Sequence, residues 1–212
     1  GAPRHGREGR DEREHARAFA RGLSDCGIGI VSGLALGIDG AAHLGALESG
    51  RRGTVAVLPS GLDRIYPSLH ASLGREIVAR GGALISEYPF DSESFPSHFL
   101  ERNRIVSGLS RGTVVVEAPE RSGALVTARL ATEQNRDVFA VPGPLAHANY
   151  AGSHNLIRQG AELVTSARDI CMSLGIPFAE PAGTPAHGEA SLSSHERIVL
   201  AAIRAAGAPL TL

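Results

Sequence analysis

The sequence predicts an α/β protein with a doubly wound, mostly parallel sheet. Six short runs of apolar, often β-branched residues alternate with longer amphipathic segments. The runs are apolar at nearly every position, as strands are when helices cover both faces of a parallel sheet. This alternation of strand and helix is typical of βαβ units. The predicted strands are 28–32, 54–58, 83–86, 113–117, 138–141 and 162–165, and the predicted helices are 11–26, 39–49, 69–80, 100–109, 123–135 and 153–160.

Length and charge limit the possible functions before any motif is considered. The 212 residues are enough for one α/β domain with its own core and a small addition. All 21 basic residues are arginine, which excludes a Walker-type lysine, a Schiff-base lysine and a pyridoxal phosphate anchor. The net charge is −1, so a nucleic-acid site has to be a local patch of positive charge.

Cysteine content and hydropathy favour a cytoplasmic protein. Cys26 and Cys171 are too few for a disulfide framework or a zinc site, and they suit a reducing compartment. No apolar run approaches the roughly 20 residues of a membrane span, so we expect no membrane partner. The nine histidines are scattered without ligand spacing, and we predict neither a metal site nor a cofactor.

The protein divides into three predicted parts. Residues 1–175 form the α/β domain, 176–192 are a linker rich in Pro, Ala and Gly, and 193–212 are the start of a second module.

The first strand of a doubly wound sheet is usually central, and the predicted strand at 28–32 would be the second. We therefore expect that the first strand is missing and leaves a central gap, and that the protein is poorly soluble or pairs with another chain.

A glycine-bearing turn follows the first predicted strand. Ser32 and Gly33 end the strand, and Gly37 precedes the next helix. Such a turn presents backbone N–H groups at the positive end of a helix, where phosphate binds readily. The alternative is a tight turn with Asp39 as an ordinary N-cap. A second loop, residues 61–67, lies at the same sheet edge and carries Arg64 and Tyr66, of which Tyr66 is expected to pack the loop.

Two further segments place arginine at predicted helix starts. Arg102, Asn103 and Arg104 lie in a first turn, where cations oppose the helix dipole and therefore need anionic partners. Those partners are either phosphates or the internal carboxylates Glu87 and Glu117.

The second segment contains the best anion site of the sequence. In it, Arg121, Ser122 and Gly123 precede a helix that contains Thr127. The alternative there is a serine N-cap beside a solvated arginine.

These segments together resemble the DprA/Smf family of DNA processing proteins. The motifs occur in the order of the family over about residues 28–170: SGLALGID, AVLPSGLDRIYP, LISEYP, FLERNRIVSGLS, VVVEAPERSGALVTARLA, DVFAVPGPL and GSHNLIRQGAELV. The resemblance implies an extended Rossmann-like fold that binds single-stranded DNA in a positively charged pocket. It also implies a homodimer that protects incoming DNA and loads the RecA recombinase in natural transformation.

The resemblance also implies which residues bind DNA. They are Ser32, Gly33, Gly37, Arg64, Arg102, Asn103, Arg104, Arg121, Ser122, Gly123 and Thr127. The family often carries a basic residue where Leu36 stands, so one phosphate contact is absent here. The family's Phe-Pro pair before the R-N-R core is altered to Phe99-Leu100. The C-terminal helix at 194–206 looks like the start of the winged helix of the family, cut short.

The competing hypothesis is an enzyme. Related Rossmann proteins cleave nucleoside monophosphates with a glycine-rich loop and a glutamate, a role open to Glu87 or Glu117. Their P-G-G-x-G-T loop is absent here, as are a G-x-S-x-G elbow and an H-E-x-x-H pair. We therefore predict a DNA-binding protein without catalytic residues, and keep a nucleoside monophosphate phosphoribohydrolase-like activity as the alternative.

Overall fold

The computed structural model describes the backbone of residues 5–178 and the side chains of residues 11–178. The strands are β1 (Ile30–Ser32), β2 (Thr54–Val57), β3 (Ala83–Ile85), β4 (Gly112–Val115), β5 (Asp137–Ala140) and β6 (Glu162–Leu163). The helices are α1 (His5–Asp25), α2 (Ile38–Ser49), α3 (Ala71–Ala79), α4 (Pro96–Glu101), α5 (Asn103–Gly108), α6 (Gly123–Glu133), α7 (Ala151–Arg158) and α8 (Ala167–Ser173). Short 3₁₀ turns precede α3 and α7.

All strand pairs among these residues are parallel. One sheet has the order β1-β2-β3 and the other has the order β4-β5-β6. Ile30 lies opposite Thr54 in the first sheet, and Gly112 lies opposite Asp137 in the second. The predicted α/β class with parallel strands is confirmed, and the six described strands form two three-stranded sheets.

Helices cover both faces of the second sheet, as the unbroken apolar runs predict. Val114 and Phe139 face a core cluster with Phe19 of α1 and Ile170 of α8. The neighbouring residue Val115 points the other way, into a cluster with residues of α6 and α7. The first sheet packs against α2 and α3 through a third cluster: Leu34, Leu47, Ala56, Leu58, Leu73 and Ile77.

Two helical segments differ from the sequence prediction. The single helix predicted for 100–109 is two helices, α4 and α5, which meet at Arg102. There the Arg102 carbonyl accepts from the Ile105 amide at 2.9 Å, an i to i+3 bond that tightens the turn. Helix α8 was not predicted, although its signal stands in the sequence: Ser166 and Asp169 form a capping box at its start.

The predicted linker and second module lie outside the described residues, apart from 176–178. The domain boundaries therefore stay a prediction. Among the helices of residues 5–178, none is both long enough and apolar enough to cross a membrane.

The close crossing of α1 and α2 gives a test of the packing. A Cβ atom on the buried Gly45 would overlap the backbone carbonyl of Arg17. We expect Gly45→Ala to lower the free energy of unfolding by about 1–3 kcal/mol, because the clash is with backbone and outweighs the helix propensity gained. Urea unfolding measures this. Gly108→Ala is the control, since its Cβ would lie 3.6 Å from the Gln134 side chain, an ordinary contact. Equal stability of the two variants would contradict this packing.

Candidate functional site

The turn after β1, residues 33–37, is the first glycine loop. It holds Leu34 in the left-handed region at φ 60°, with its side chain fully buried, and Gly37 at φ 91° directly before α2. Two hydrogen bonds fix its backbone. The Ala35 amide donates to Asp39 Oδ2 at 3.2 Å, and the Leu34 carbonyl accepts from His70 Nδ1 at 2.8 Å. The loop is therefore a rigid surface of backbone groups at the start of a helix.

Arg102 lies beneath this loop with its side chain only 5 % exposed. Its Nη1 donates to the Val57 carbonyl at 2.8 Å, and its Nη2 lies 4.0 Å from Asp39 Oδ2. The guanidinium lies so close to Gly33 that a Cβ atom on this residue would overlap it. Burial lowers the pKa of Arg102, and the Asp39 carboxylate acts in the opposite direction. Arg102 thus makes the internal ion pair, but with Asp39 and with neither Glu87 nor Glu117.

The two residues that follow connect α5 to other elements. Arg104 forms an ion pair with Glu87 at the end of β3, and its side chain is about half exposed. Asn103 Nδ2 donates to the Gly123 carbonyl at 3.5 Å. Because Arg102 contacts Gly33 and Asn103 contacts Gly123, these neighbours bring the loops after β1 and β4 to one place.

The turn formed by Arg121, Ser122 and Gly123 offers hydrogen-bond donors without partners. Ser122 has extended backbone at the N-cap of α6, yet its side chain makes no capping bond, and its Oγ is buried without a partner. Arg121 is exposed and has neither an ion-pair nor a hydrogen-bond partner among residues 11–178. The position above Gly123 is open, with no atom within 4 Å of a Cβ built there. Thr127 donates back to the Gly123 carbonyl at 3.2 Å.

The loop with Arg64 is different in character. Arg64 pairs with Glu93 at 3.1 Å and lies 3.9 Å from Asp91, and it is half exposed. The ring of Tyr66 packs edge to face on Phe99, with centroids 5.5 Å apart, as the packing interpretation expected. The contacts of Arg64 are thus with acidic residues.

Ser32 lies elsewhere, in the lining of a cleft. Four other predicted site residues line the same cleft: Gly33, Arg102, Asn103 and Thr127.

Sequence reasoning missed a pair of carboxyl groups at the end of β4. Glu117 interacts with Glu12 of α1, and burial together with that neighbour raises the pKa of Glu117 to about 7. Asn149 and His147 act in the opposite direction. No short-range signal in the sequence relates residue 12 to residue 117. A second missed group is His43, which is fully buried against Thr54, and burial lowers its pKa to about 4.

Residues 7–175 match the family described as DNA recombination-mediator protein A. The chain belongs to this family. Among its relatives, Protein Smf of Escherichia coli is 50 % identical over 158 residues, which are 74 % of this chain, or 42 % of that protein. The putative DNA processing protein DprA of Mycobacterium tuberculosis is 47 % identical over 199 residues, 92 % of this chain, or 50 % of that protein. The chain therefore spans about half the length of the relatives it matches.

Solved structures of the recombination-mediator family have the same fold. DNA processing protein A from Streptococcus pneumoniae has a TM-score of 0.70 and 40 % identity, covering 80 % of this chain, or 58 % of that protein. The protein from Helicobacter pylori, described for its single-stranded DNA binding mode, has a TM-score of 0.69 and 33 % identity over 77 % of this chain, or 73 % of that protein. A molybdenum cofactor binding protein from Rippkaea orientalis shares the fold alone, at 16 % identity and a TM-score of 0.55. The family resemblance stated from the motifs is confirmed.

The burial of Arg102 predicts a difference between the two arginines of the R-N-R segment. Arg102→Ala leaves the Val57 carbonyl and Asp39 without their partner, so we expect it to cost at least about 1–3 kcal/mol of stability. Arg104→Ala removes an exposed ion pair and should cost about 0–1 kcal/mol. Urea unfolding of both variants measures the difference. A smaller loss for Arg102→Ala than for Arg104→Ala would contradict the internal role of Arg102.

The raised pKa of Glu117 predicts a pH dependence of stability. The folded protein holds this proton at pH values where the unfolded chain has released it, so the contribution is fully present below the ordinary glutamate pKa. It is lost as the pH rises through about 7. We expect melting temperatures of the native protein to fall, relative to Glu117→Gln, between about pH 5 and about pH 8. Glu120→Gln, an exposed neighbour, is the control. Parallel curves for Glu117→Gln and the native protein would contradict the shift.

Proposed function

We propose that the chain binds single-stranded DNA without sequence preference, through its phosphates. The binding residues are those named from the resemblance, with the first glycine loop and the 121–123 turn as the two phosphate positions. Membership of the recombination-mediator family supports this, as does the relative from Helicobacter pylori, which is described for binding single-stranded DNA. Binding through phosphates needs no base-edge contacts, which suits a site made of backbone and arginine.

The observation that carries the proposal is the group of unpartnered donors at the start of α6. A buried hydroxyl of Ser122, the exposed guanidinium of Arg121 and the first amides of the helix all lack partners within the described residues. Open space lies above Gly123. A phosphate group there would accept from all three kinds of donor and would lie at the positive end of the helix dipole.

The first glycine loop completes the proposed path. Because Gly33 has no side chain, the Arg102 guanidinium packs directly against the loop, supports it and places a positive charge beside its backbone. We assign Arg102 the role of holding the loop in place. Asn103 connects it with the turn of residues 121–123 before α6, called the α6 turn below, and Arg104 connects α5 with Glu87 after β3. Arg64 lies beside Asp91 and Glu93, so it contributes to DNA binding only if the strand displaces these partners.

The wider biological role is part of the same proposal. We infer that the protein works in the cytoplasm as a homodimer that protects incoming DNA and loads RecA in natural transformation. Family membership supports these roles. Sedimentation of the purified protein tests the dimer, and a pull-down with RecA in the presence and absence of single-stranded DNA tests the contact. A monomer at all concentrations, or no RecA capture in either condition, would contradict the respective role.

The α6 turn gives the sharpest test of DNA binding. We expect Arg121→Ala to weaken binding of a fluorescent oligonucleotide by about 10- to 150-fold, because a charge-assisted contact contributes about 1.5–3 kcal/mol. The melting temperature should stay unchanged, since an exposed arginine adds little to folding. Arg129→Ala is the matched control, because Arg129 is an exposed arginine of the same helix, away from its start. Equal affinity of the two variants would move the site away from this turn.

Salt dependence tests the phosphate contacts separately. With about three to five phosphates engaged, the logarithm of the binding constant should fall against the logarithm of salt concentration with a slope of about −2 to −3.5. The affinity for duplex DNA of the same length should be lower. Titrations at several salt concentrations measure both quantities. A flat salt dependence, or equal affinity for duplex, would argue against the proposal.

The second candidate function is cleavage of a nucleoside monophosphate, and Glu117 is the observation in its favour. A carboxyl group with a pKa of about 7 is suited to proton transfer near neutral pH. We nevertheless propose that the protein is not an enzyme, because the sequence has no partner set of nucleophile, base and orienting group. Incubation with nucleoside monophosphates should release no free base. Release that is lost in Glu117→Gln would favour the enzyme.

A further inference from the structure

The two cysteines of the sequence are neighbours in the structure, although they stand near opposite ends of the described residues. Cys26 directly follows α1, and Cys171 lies in α8. Cys171 belongs to the core cluster that joins α1 and α8 to the second sheet, and Cys26 packs against the same cluster. Their thiol groups share a hydrogen bond. The packing of α1 on α8 therefore brings both sulfur atoms to one place.

The crossing of α1 and α8 explains why the thiols meet. Gly22 of α1 lies so close to Ala167 of α8 that a Cβ atom on Gly22 would be 2.8 Å from the Ala167 Cβ. Each cysteine follows its residue of this contact by four positions, about one helical turn, and so lies on the same helix face. The Cys26 amide donates to the Gly22 carbonyl at 3.3 Å, so the helical path continues to the cysteine.

The two thiols differ in their access to solvent. Cys171 is fully buried, and burial together with the neighbouring Cys26 thiol raises the pKa of Cys171 to about 11. Such a thiol stays protonated near neutral pH and is shielded from reagents in solution. Cys26 is partly exposed. An oxidant from solution therefore reaches Cys26 first, and Cys171 is the thiol that waits behind it.

We propose that Cys26 and Cys171 are an oxidation site, at which a peroxide forms a reversible disulfide that fixes α1 to α8. In a reducing compartment the thiols stay free, and the bond forms only when oxidant is present. This inference goes beyond DNA binding and does not depend on it.

The reaction has two steps. The Cys26 sulfur attacks one oxygen of hydrogen peroxide, the O–O bond breaks, and Cys26 becomes a sulfenic acid while the other oxygen leaves as water. The Cys171 sulfur then loses its proton and attacks the Cys26 sulfur, and the hydroxyl group of the sulfenic acid leaves as a second water. The two thiols together lose two electrons and two protons, and the peroxide is reduced.

The pair lies away from the proposed DNA site. Because α1 ends just before β1, Cys26 is near the amino end of that strand, whereas the first glycine loop and the α6 turn follow the carboxyl ends of strands. The bond therefore acts on the packing of two helices and leaves the carboxyl edge open.

Mass spectrometry after oxidation tests the bond. The purified protein is treated with a small excess of hydrogen peroxide and then unfolded with a maleimide, which labels free thiols. We expect two labels on the untreated protein and none on the oxidised monomer, whose mass should be lower by two hydrogen atoms. Dithiothreitol should restore both labels. Two labels after oxidation, or a covalent dimer on a non-reducing gel, would overturn the proposal.

Two variants separate the roles of the thiols. In Cys171→Ala the sulfenic acid of Cys26 has no thiol beside it, so we expect dimedone to capture it. The native protein should give at least about tenfold less of this adduct, because a thiol held in contact reacts faster than a reagent from solution. Cys26→Ala should give none, since its remaining thiol is buried. Equal capture in the native protein and Cys171→Ala would show that the thiols do not react with each other.

Thermal unfolding measures whether the bond fixes the helices. A disulfide between positions 26 and 171 closes most of the described residues into one loop, which restricts the unfolded chain. We expect the melting temperature of the oxidised protein to lie about 5–15 °C above that of the reduced protein. Dithiothreitol should remove the difference, and peroxide should not raise the melting temperature of the control Cys26→Ala. Equal melting temperatures of the oxidised and reduced native protein would contradict the proposal.

Discussion

Parallel strand pairing is the constraint on which the rest of the structure depends. Parallel strands need crossover connections, and in this protein helices supply them on both faces of the strands. The same pairing places the carboxyl ends of neighbouring strands at one edge, so that loops distant in the sequence become neighbours. The first glycine loop and the α6 turn meet there because β1 and β4 both end there. The position of the proposed DNA-binding site at this edge follows from the topology, and individual side chains add their chemistry to it.

Arg102 holds together the elements that meet at this edge. One guanidinium contacts the end of β2 through Val57, the start of α2 through Asp39 and the loop over Gly33. The protein tolerates this buried cation because the Val57 carbonyl accepts a hydrogen bond from it and the Asp39 carboxylate carries the opposite charge. Its charge lies beneath a backbone surface and is screened by salt less than an exposed arginine would be.

The sequence predicts the local features of this structure well. The order of strands and helices, the glycine turns and the position of Ser122 at a helix start all follow from short-range patterns. It predicts pairings across the fold only in part. The ion pair of Arg104 with Glu87 is one of the candidate pairs, but the pairings of Arg102 with Asp39 and of Glu117 with Glu12 are not predicted. Each joins residues far apart in the sequence, and the choice between two candidate carboxylates depends on the course of the backbone in space.

The contact between Gly33 and Arg102 has a consequence for how such a sequence can change over evolutionary time. Any residue larger than glycine at position 33 would occupy the volume of the guanidinium, and any residue shorter than arginine at position 102 would leave a hole beneath the loop. Each single replacement is therefore harmful by itself, and only a paired replacement restores the fit. Positions 33 and 102 should therefore covary, so that related sequences either keep both residues or replace both.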